Sequence, residues 1–313
     1  MDRIVVIVGP TASGKTGLSV ALAKALNGEV ISADSMQIYR GMDIGTAKVT
    51  VREMDGIRHH MIDVAEPEEP FSAARYVELA DPVLRDVLRR GKTAVIAGGT
   101  GLYVDALIQG RAFAPYPATG RRESLEREAD ARGMEFMMAR LRQVDPDSAL
   151  RLHVSDRKRI LRALEVYEET GRTITEHNRE TQRVPNKYYP VWLGLDFVRR
   201  EDLYRRIDRR VDEMLRQGLL AEIRGLLDRG ISQSCTAMQA IGYKEFLPVL
   251  RGTCGLEDAV AAVKQGSRRY AKRQLTWFRR NSAIHWIFQS DPPDFSKVLE
   301  EALGQIPFFD GSA

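Results

Sequence analysis

The chain has 313 residues, 43% of them apolar, and a formal net charge of +4. That length exceeds a comfortable single hydrophobic core, so a main domain with a smaller insertion is expected. Cys235 and Cys254 are the only cysteines and lack metal-ligand spacing, so neither a disulfide framework nor a zinc site is indicated. No apolar run reaches the roughly 18 to 20 residues of a membrane span. Met1-Asp2-Arg3 leads directly into a strand-like run, so no signal peptide and a cytoplasmic location are expected.

In chain order, residues 4–8 form an uninterrupted apolar, β-branched run bounded by Gly9-Pro10, as in a parallel strand buried on both faces. Leu18, Ala21, Leu22, Ala25 and Leu26 follow with helical spacing, ended by Asn27-Gly28. Residues 29–33 read as a second strand. A long helix is expected from about Ser72, with Tyr76, Leu84 and Val87 on its buried side and Pro82 kinking or restarting it. Residues 93–97 read as a third buried strand, stopped by Gly98-Gly99. The alternation predicts an α/β fold, a doubly wound parallel sheet. After Gly110 the composition changes to charged helical segments, and strand character returns only at residues 189–195 and 284–288. The expected organisation is a core at 1–113, a mainly helical insertion at 114–188 and the rest of the core at 189–313. Near its end, the core carries seven basic and no acidic residues between Lys264 and Arg280, interleaved with Tyr270, Trp277 and Phe278. Such a run serves a solvated helix face or an RNA contact. Trp192 and Trp286 lie in apolar runs and are expected in the core.

Gly9-Pro10-Thr11-Ala12-Ser13-Gly14-Lys15-Thr16 fits G-x-x-x-x-G-K-[ST] between a buried strand and an amphipathic helix, the context a P-loop requires. Glycines let backbone N–H groups face a diphosphate, the helix N-terminus adds partial positive charge, Lys15 adds a full one, and the Thr16 hydroxyl can bind Mg²⁺. A nucleoside triphosphatase would place an acid at the end of a later strand. Here that strand leads into Gly98-Gly99-Thr100-Gly101 instead. The ends of the first three strands should meet at one sheet edge, bringing together the P-loop, Asp34-Ser35-Met36-Gln37 and the segment from Gly98 to Tyr103. Asp34 there serves as general base, metal ligand or helix cap. His59-His60 has no obvious third ligand and reads as structural.

These segments resemble the tRNA dimethylallyltransferases (tRNA isopentenyltransferases) along most of the chain. The resemblance rests on the P-loop, Ser32-Ala33-Asp34-Ser35-Met36-Gln37, Gly41-Met42-Asp43-Ile44-Gly45-Thr46-Ala47-Lys48 and Gly98-Gly99-Thr100-Gly101-Leu102-Tyr103. It extends to Asp156-Arg157-Lys158-Arg159-Ile160-Leu161-Arg162, Gln239-Ala240-Ile241-Gly242-Tyr243-Lys244-Glu245 and Tyr270-Ala271-Lys272-Arg273-Gln274. With no Cys/His spacing before Ala313, it is to the bacterial form. The resemblance implies Mg²⁺-dependent transfer of a dimethylallyl group from dimethylallyl diphosphate to N6 of the adenosine 3′ of the anticodon, in tRNAs reading codons that begin with U. The partners are then the tRNA anticodon stem-loop and the prenyl diphosphate, with no membrane, and the enzyme is expected to be a monomer.

On that reading Asp34 is the general base for a poorly nucleophilic amine. Lys15, the loop residues Gly9 to Thr16, Mg²⁺ and Thr100 stabilise the departing diphosphate. The adenine must be flipped out of its stack, and Gln37 can read its edge with a two-sided amide. The family's tRNA contacts fall on Asp34, Ser35, Met36, Gln37, Thr100, Arg122 and the segment Lys158, Arg159, Ile160, Leu161, Arg162. The competing readings are an adenylate isopentenyltransferase acting on free nucleotide and a P-loop kinase or ATPase acting on RNA.

Overall fold

The computed structural model describes residues 3–110, 119–183 and 185–308. The chain divides into two compact units, Met1–Gly110 with Lys187–Ala313, and Arg111–Asn186. The sequence reading set the second unit at 114–188.

The first unit opens with β1 (Ile4–Val8), α1 (Lys15–Ala25), β2 (Gly28–Ser32), the short α2 (Val51–Met54), β3 (His59–His60), α3 (Ala73–Arg89), β4 (Thr93–Gly98) and α4 (Gly101–Gln109). The second unit holds α5 (Arg121–Arg132), α6 (Met134–Val144), α7 (Pro146–Arg151), α8 (Arg157–Thr170) and α9 (Ile174–Arg183). The first unit resumes with β5 (Val191–Phe197), α10 (Arg200–Arg216), α11 (Leu219–Asp228), α12 (Leu247–Leu250), α13 (Leu256–Phe278), β6 (His285–Gln289) and α14 (Phe295–Gly304).

The six strands are all parallel in the order β3-β2-β4-β1-β5-β6. Every residue of β1 and β2 is buried, which is why β1 reads as a continuous apolar run rather than an alternating one. Val5, Ile7, Val30, Val95, Leu193 and Ile287 form one core with Leu18 and Leu22 of α1 and Val298 of α14. A separate core joins Ile38, Tyr39 and Met42 to Val211, Ile223, Tyr243, Phe246 and Val263, anchoring the loop after β2 on α10, α11 and α13.

Two expectations are corrected. The helix α3 does not restart at Pro82 but continues through it, with the proline on its exposed face. The carbonyl freed by the missing N–H belongs to exposed Glu78, where water can satisfy it. Trp192 and Trp286 are only half-buried, because β6 is a sheet edge and its pairing with β5 begins at Leu193, after Trp192. No helix among the described residues is long and apolar enough to cross a membrane.

The helical unit has its own core of Leu125, Met137, Met138, Leu141, Ile160 and Leu161. Buried Asp145 ties it together, capping α7 through Ser148 N at 3.0 Å and accepting from Thr175 Oγ1 at 2.8 Å.

Candidate active site

The P-loop joins β1 to the N-terminus of α1, and three side chains from distant elements fix its backbone. Gln274 Oε1 on α13 accepts from Thr11 N at 2.8 Å. Arg206 Nε on α10 donates to Ala12 O at 3.0 Å, and Gln289 Nε2 at the end of β6 donates to Ser13 O at 2.6 Å. The Ser13 hydroxyl is buried without a hydrogen-bond partner among the described residues. A diphosphate oxygen would satisfy it. Lys15 Nζ donates to Gly9 O at 3.1 Å and Pro10 O at 2.7 Å. Burial, reinforced by the positive charge of Arg210 and opposed by Asp34, lowers the Lys15 ammonium to about 7. An incoming anion at this site would reverse much of that shift.

The predicted convergence of β2 and β4 takes a specific form. Thr100 N donates to Ala33 O at 3.1 Å, and Thr100 Oγ1 accepts from Ser35 N at 3.0 Å while donating to Ser35 Oγ at 3.2 Å. The Tyr270 hydroxyl also bonds to Thr100 and Gln274, and burial, aided by the Asp34 charge, pushes it up to about 12. Thr100 is not among the residues lining either cavity described below. Its hydroxyl bonds to Ser35 and Tyr270, which ties the ends of β2 and β4 to α13. Two glycines of this segment admit α13: a Cβ at Gly99 would lie 2.1 Å from Gln274 Nε2, and one at Gly101 would lie 2.2 Å from Trp277 Cδ1.

Asp34 Oδ1 accepts from Met36 N at 2.8 Å and Gln37 N at 3.3 Å. The carboxylate therefore caps the following turn through one oxygen and leaves Oδ2 without a hydrogen bond to the described residues. The cap and base readings of Asp34 are thus compatible. The amide of Gln37 is not two-sided as expected. Its Nε2 donates to Thr46 O at 3.4 Å and Ala47 O at 3.2 Å, so only Oε1, which also accepts from Ser32 Oγ at 3.4 Å, remains for a ligand.

Two cavities, of about 630 and 360 Å³, share Thr11, Asp34, Thr46, Arg210 and Tyr270 in their linings. The larger also holds Ser13, Lys15 and Thr16 with Arg206, Arg209 and Arg216 of α10. The smaller is lined by Ser35, Met36, Met214, Ile241 and Arg273 among others. An anion cradle and a second chamber therefore meet at Asp34. Asp291 pairs with Arg209 at 2.5 Å and Arg206 at 3.4 Å, holding both arginines against the loop. The Arg210 guanidinium has no ion pair among the described residues, and burial lowers its pKa, opposed by Asp34. Sequence reading missed these arginines, because charges three and four residues apart on an amphipathic helix look like a solvated face. Thr16 lines the larger cavity, and its hydroxyl makes no hydrogen bond to the described residues. A hydroxyl oxygen beside a diphosphate fits Mg²⁺, which is held chiefly by phosphate oxygens and water in such sites. No group of three His, Cys, Asp or Glu side chains suited to a metal occurs among the described residues. His60 pairs with buried Glu29 at 2.8 Å, and His59 Nδ1 contacts Ile57 O at 2.9 Å.

In the helical unit, exposed Lys158 and Arg159 start α8 with no partner among the described residues. Arg162 and Arg122 share Glu165 at 2.9 and 3.8 Å. Ile160 and Leu161 are fully buried, which corrects their expected RNA contact: their side chains are core. The basic run of α13 also divides. Lys264 and Arg268 each pair at 2.6 Å with Asp212 and Asp208 of α10, while Arg269, Lys272 and Arg273 are exposed.

The fold and the site define a P-loop α/β protein with a bipartite cavity, the phosphate-binding loop lining one chamber and a carboxylate at the junction. Comparison with known proteins narrows the class. The family described as IPP transferase matches residues 37–281. The tRNA dimethylallyltransferase of Caldanaerobacter subterraneus subsp. tengcongensis is 46% identical over 312 residues, covering 98% of this chain and 99% of that protein. That of Geobacillus thermodenitrificans is 48% identical over 306 residues, 97% and 96% of the two chains. The full-length tRNA isopentenylpyrophosphate transferase structure from Bacillus halodurans superposes with a TM-score of 0.73 at 44% identity, covering 98% and 97%. A eukaryotic dimethylallyltransferase acting on tRNA gives 0.79 at 32% identity, covering 95% of this chain and 75% of that one. The chain belongs to the IPP transferase family.

Proposed function

We propose that this enzyme transfers a dimethylallyl group from dimethylallyl diphosphate to N6 of the adenosine 3′ of the anticodon, in tRNAs that read codons beginning with U. The observation that carries the reading is the junction of the two cavities at Asp34. The diphosphate lies in the P-loop chamber and the flipped adenine enters the other, so the reacting carbon and the amine meet beside the carboxylate. The N6–C1 bond forms as the C1–O bond to diphosphate breaks, and Asp34 Oδ2 takes the N6 proton. Lys15, Ser13 and the loop amides receive the charge that develops on the leaving group, with Arg206, Arg209 and Arg210 lining the same chamber. Thr16 and the diphosphate oxygens would hold Mg²⁺, which would supply further neutralising charge there. Gln37 Oε1 accepts from the second N6–H. A 6-oxo purine offers no such donor.

Lys158 and Arg159 contact backbone phosphates of the stem-loop from α8, with Arg122 and Arg162 beside them. All of these groups come from a single chain, which favours action as a monomer, and its two substrates favour a cytoplasmic setting. The test is incubation with Mg²⁺, labelled dimethylallyl diphosphate and either unmodified tRNA or free AMP. Label is expected on tRNA alone. Transfer to AMP would instead support the free-nucleotide reading.

A further inference from the structure

We infer that Glu222, on α11, is a positioning residue that sets the orientation of the Gln37 amide by clamping the loop 43–47. The inference rests on the functional reading above, in which Gln37, lining the larger chamber, meets the acceptor amine at the junction of the two.

The Glu222 carboxylate accepts four hydrogen bonds. Oε2 takes Asp43 N at 2.8 Å and Ile44 N at 2.7 Å, and Oε1 takes Gly45 N at 3.1 Å and the Tyr243 hydroxyl at 2.6 Å. Three successive backbone N–H groups converging on one carboxylate form an anion nest, so the loop's conformation is tied to the presence of that charge. Gly45 completes the fit, since a Cβ there would stand 2.4 Å from the Tyr243 ring. The clamp is built on firm ground. Tyr243, Ile223 and Leu219 belong to the buried core beneath the loop, and Glu222 lies between Leu219 and Ile223 on α11.

What the loop then presents is the pair of carbonyls, Thr46 O and Ala47 O, that accept both N–H groups of Gln37. An amide oxygen and an amide nitrogen are nearly alike in shape, so only partners decide which one faces a ligand. With its nitrogen held by the loop, Gln37 shows its oxygen to the cavity. If the loop moves, the amide is free to flip and offer N–H to an amine that is itself a donor. Thr46, next along the loop, lines both cavities, so the clamp also sets the wall at their junction. The far end of the loop is held independently, because Lys48 Nζ bonds to Tyr39 O at 2.7 Å, Asp43 Oδ1 at 2.6 Å and Asp63 Oδ1 at 2.5 Å. Removing Glu222 should therefore loosen the turn without detaching the loop.

The test is a double-mutant cycle of Glu222→Ala and Gln37→Ala, read by single-turnover prenyl transfer at saturating tRNA, with Glu222→Gln as a conservative partner. Glu222→Ala should slow transfer by about 10- to 100-fold, the scale of a misplaced reacting group. The donor KM should stay within about threefold, because the P-loop chamber is untouched. Glu222→Gln keeps one acceptor oxygen and should fall between. In the Gln37→Ala background, Glu222→Ala should cost less than about threefold, the non-additivity expected of two residues acting as one unit. An undiminished loss in that background, or a donor KM that rises in step with the rate loss, would overturn the inference. A wild-type protein that transfers no prenyl group sinks the functional reading alone. The clamp is then judged by the Gln37 side-chain amide resonances: they must shift and exchange faster in Glu222→Ala, and unchanged resonances refute it.

Discussion

Replacing Asp34 by Asn and by Ala separates the two tasks its carboxylate performs. Asparagine keeps an Oδ1 that can accept from Met36 N and Gln37 N, at 2.8 and 3.3 Å in the wild type, but has no basic oxygen to take a proton. Alanine loses both. Loss of a positioned general base lowers the chemical step by about 10²- to 10⁴-fold, or roughly 3 to 5 kcal/mol of barrier. Loss of a side-chain cap costs about 0.5–2 kcal/mol, which for a domain of this size is a fall of a few degrees in Tm. The Asn variant should thus show the full loss in single-turnover rate with a nearly unchanged melting curve, and the Ala variant the same rate loss with a lowered Tm. Donor KM should move little in either, since the base acts in the transition state. The assays are rapid-quench transfer of labelled prenyl to unmodified tRNA and calorimetric melting. An Asn variant within about fivefold of wild type, beside an Ala variant two orders of magnitude slower, would refute the base assignment and leave Asp34 as a cap alone.

Three further outcomes are expected. Burial lowers Lys15 to about 7 in the folded protein, so the unfolded chain holds a proton there that the folded one releases between about pH 7 and 10.5. Lys15's contribution to stability therefore rises with pH across that window, whereas diphosphate capture needs the charged form. Donor KM should accordingly climb above about pH 7 and donor binding should take up protons at about pH 8.5, seen by calorimetry in buffers of different ionisation enthalpy; a flat KM with no proton uptake refutes this. Neutralising Lys158 and Arg159 together should weaken all substrate tRNAs alike and reduce the slope of log K against log salt by about 2, one unit per lost phosphate contact. The Arg122 and Arg162 pair should give less, because Glu165 already offsets their charge. Gly101→Ala should destabilise the first unit by about 1–3 kcal/mol through the clash with Trp277, despite alanine's better helix propensity, and an unchanged Tm would show that α13 yields freely.

The parts of the molecule legible in its sequence are those whose signal is local. Residues 4–8 announce a buried parallel strand because both faces are covered, and the P-loop announces itself because its glycines, lysine and threonine are contiguous. The groups that complete the site are not local. Gln274 meets Thr11 across 263 positions and Glu222 meets Asp43 across 179, and no periodicity encodes a hydrogen bond of that separation. The Gln37 amide shows a subtler limit. Its residue type permits reading a base with both ends, and only the carbonyls of Thr46 and Ala47 decide which end is left. Trp192 and Trp286 were misjudged for the same reason, since exposure is fixed by neighbours in space.

The same packing bears on why a P-loop here need not imply ATP hydrolysis. A triphosphatase needs an acid at the end of a strand beside the loop to organise Mg²⁺ and water. In this fold that place falls after β4, at Gly98-Gly99. Gly99 has no room for a side chain, because Gln274 Nε2 donates to its carbonyl at 3.0 Å and would sit 2.1 Å from any Cβ. Gln274 cannot easily withdraw, since its Oε1 holds Thr11 N of the phosphate loop. The residue that shapes the cradle is thus the one that excludes the organiser, so an acid could be introduced at Gly99 only by disrupting the loop. Asp34, by contrast, lines both the P-loop chamber and the second one. On the proposed reading, a cradle for phosphate oxygens with its base at the second chamber is suited to moving the group the diphosphate carries. ATP added to the assay should therefore neither be hydrolysed above background nor be required for prenyl transfer. Robust tRNA-stimulated phosphate release without prenyl transfer would reverse that conclusion.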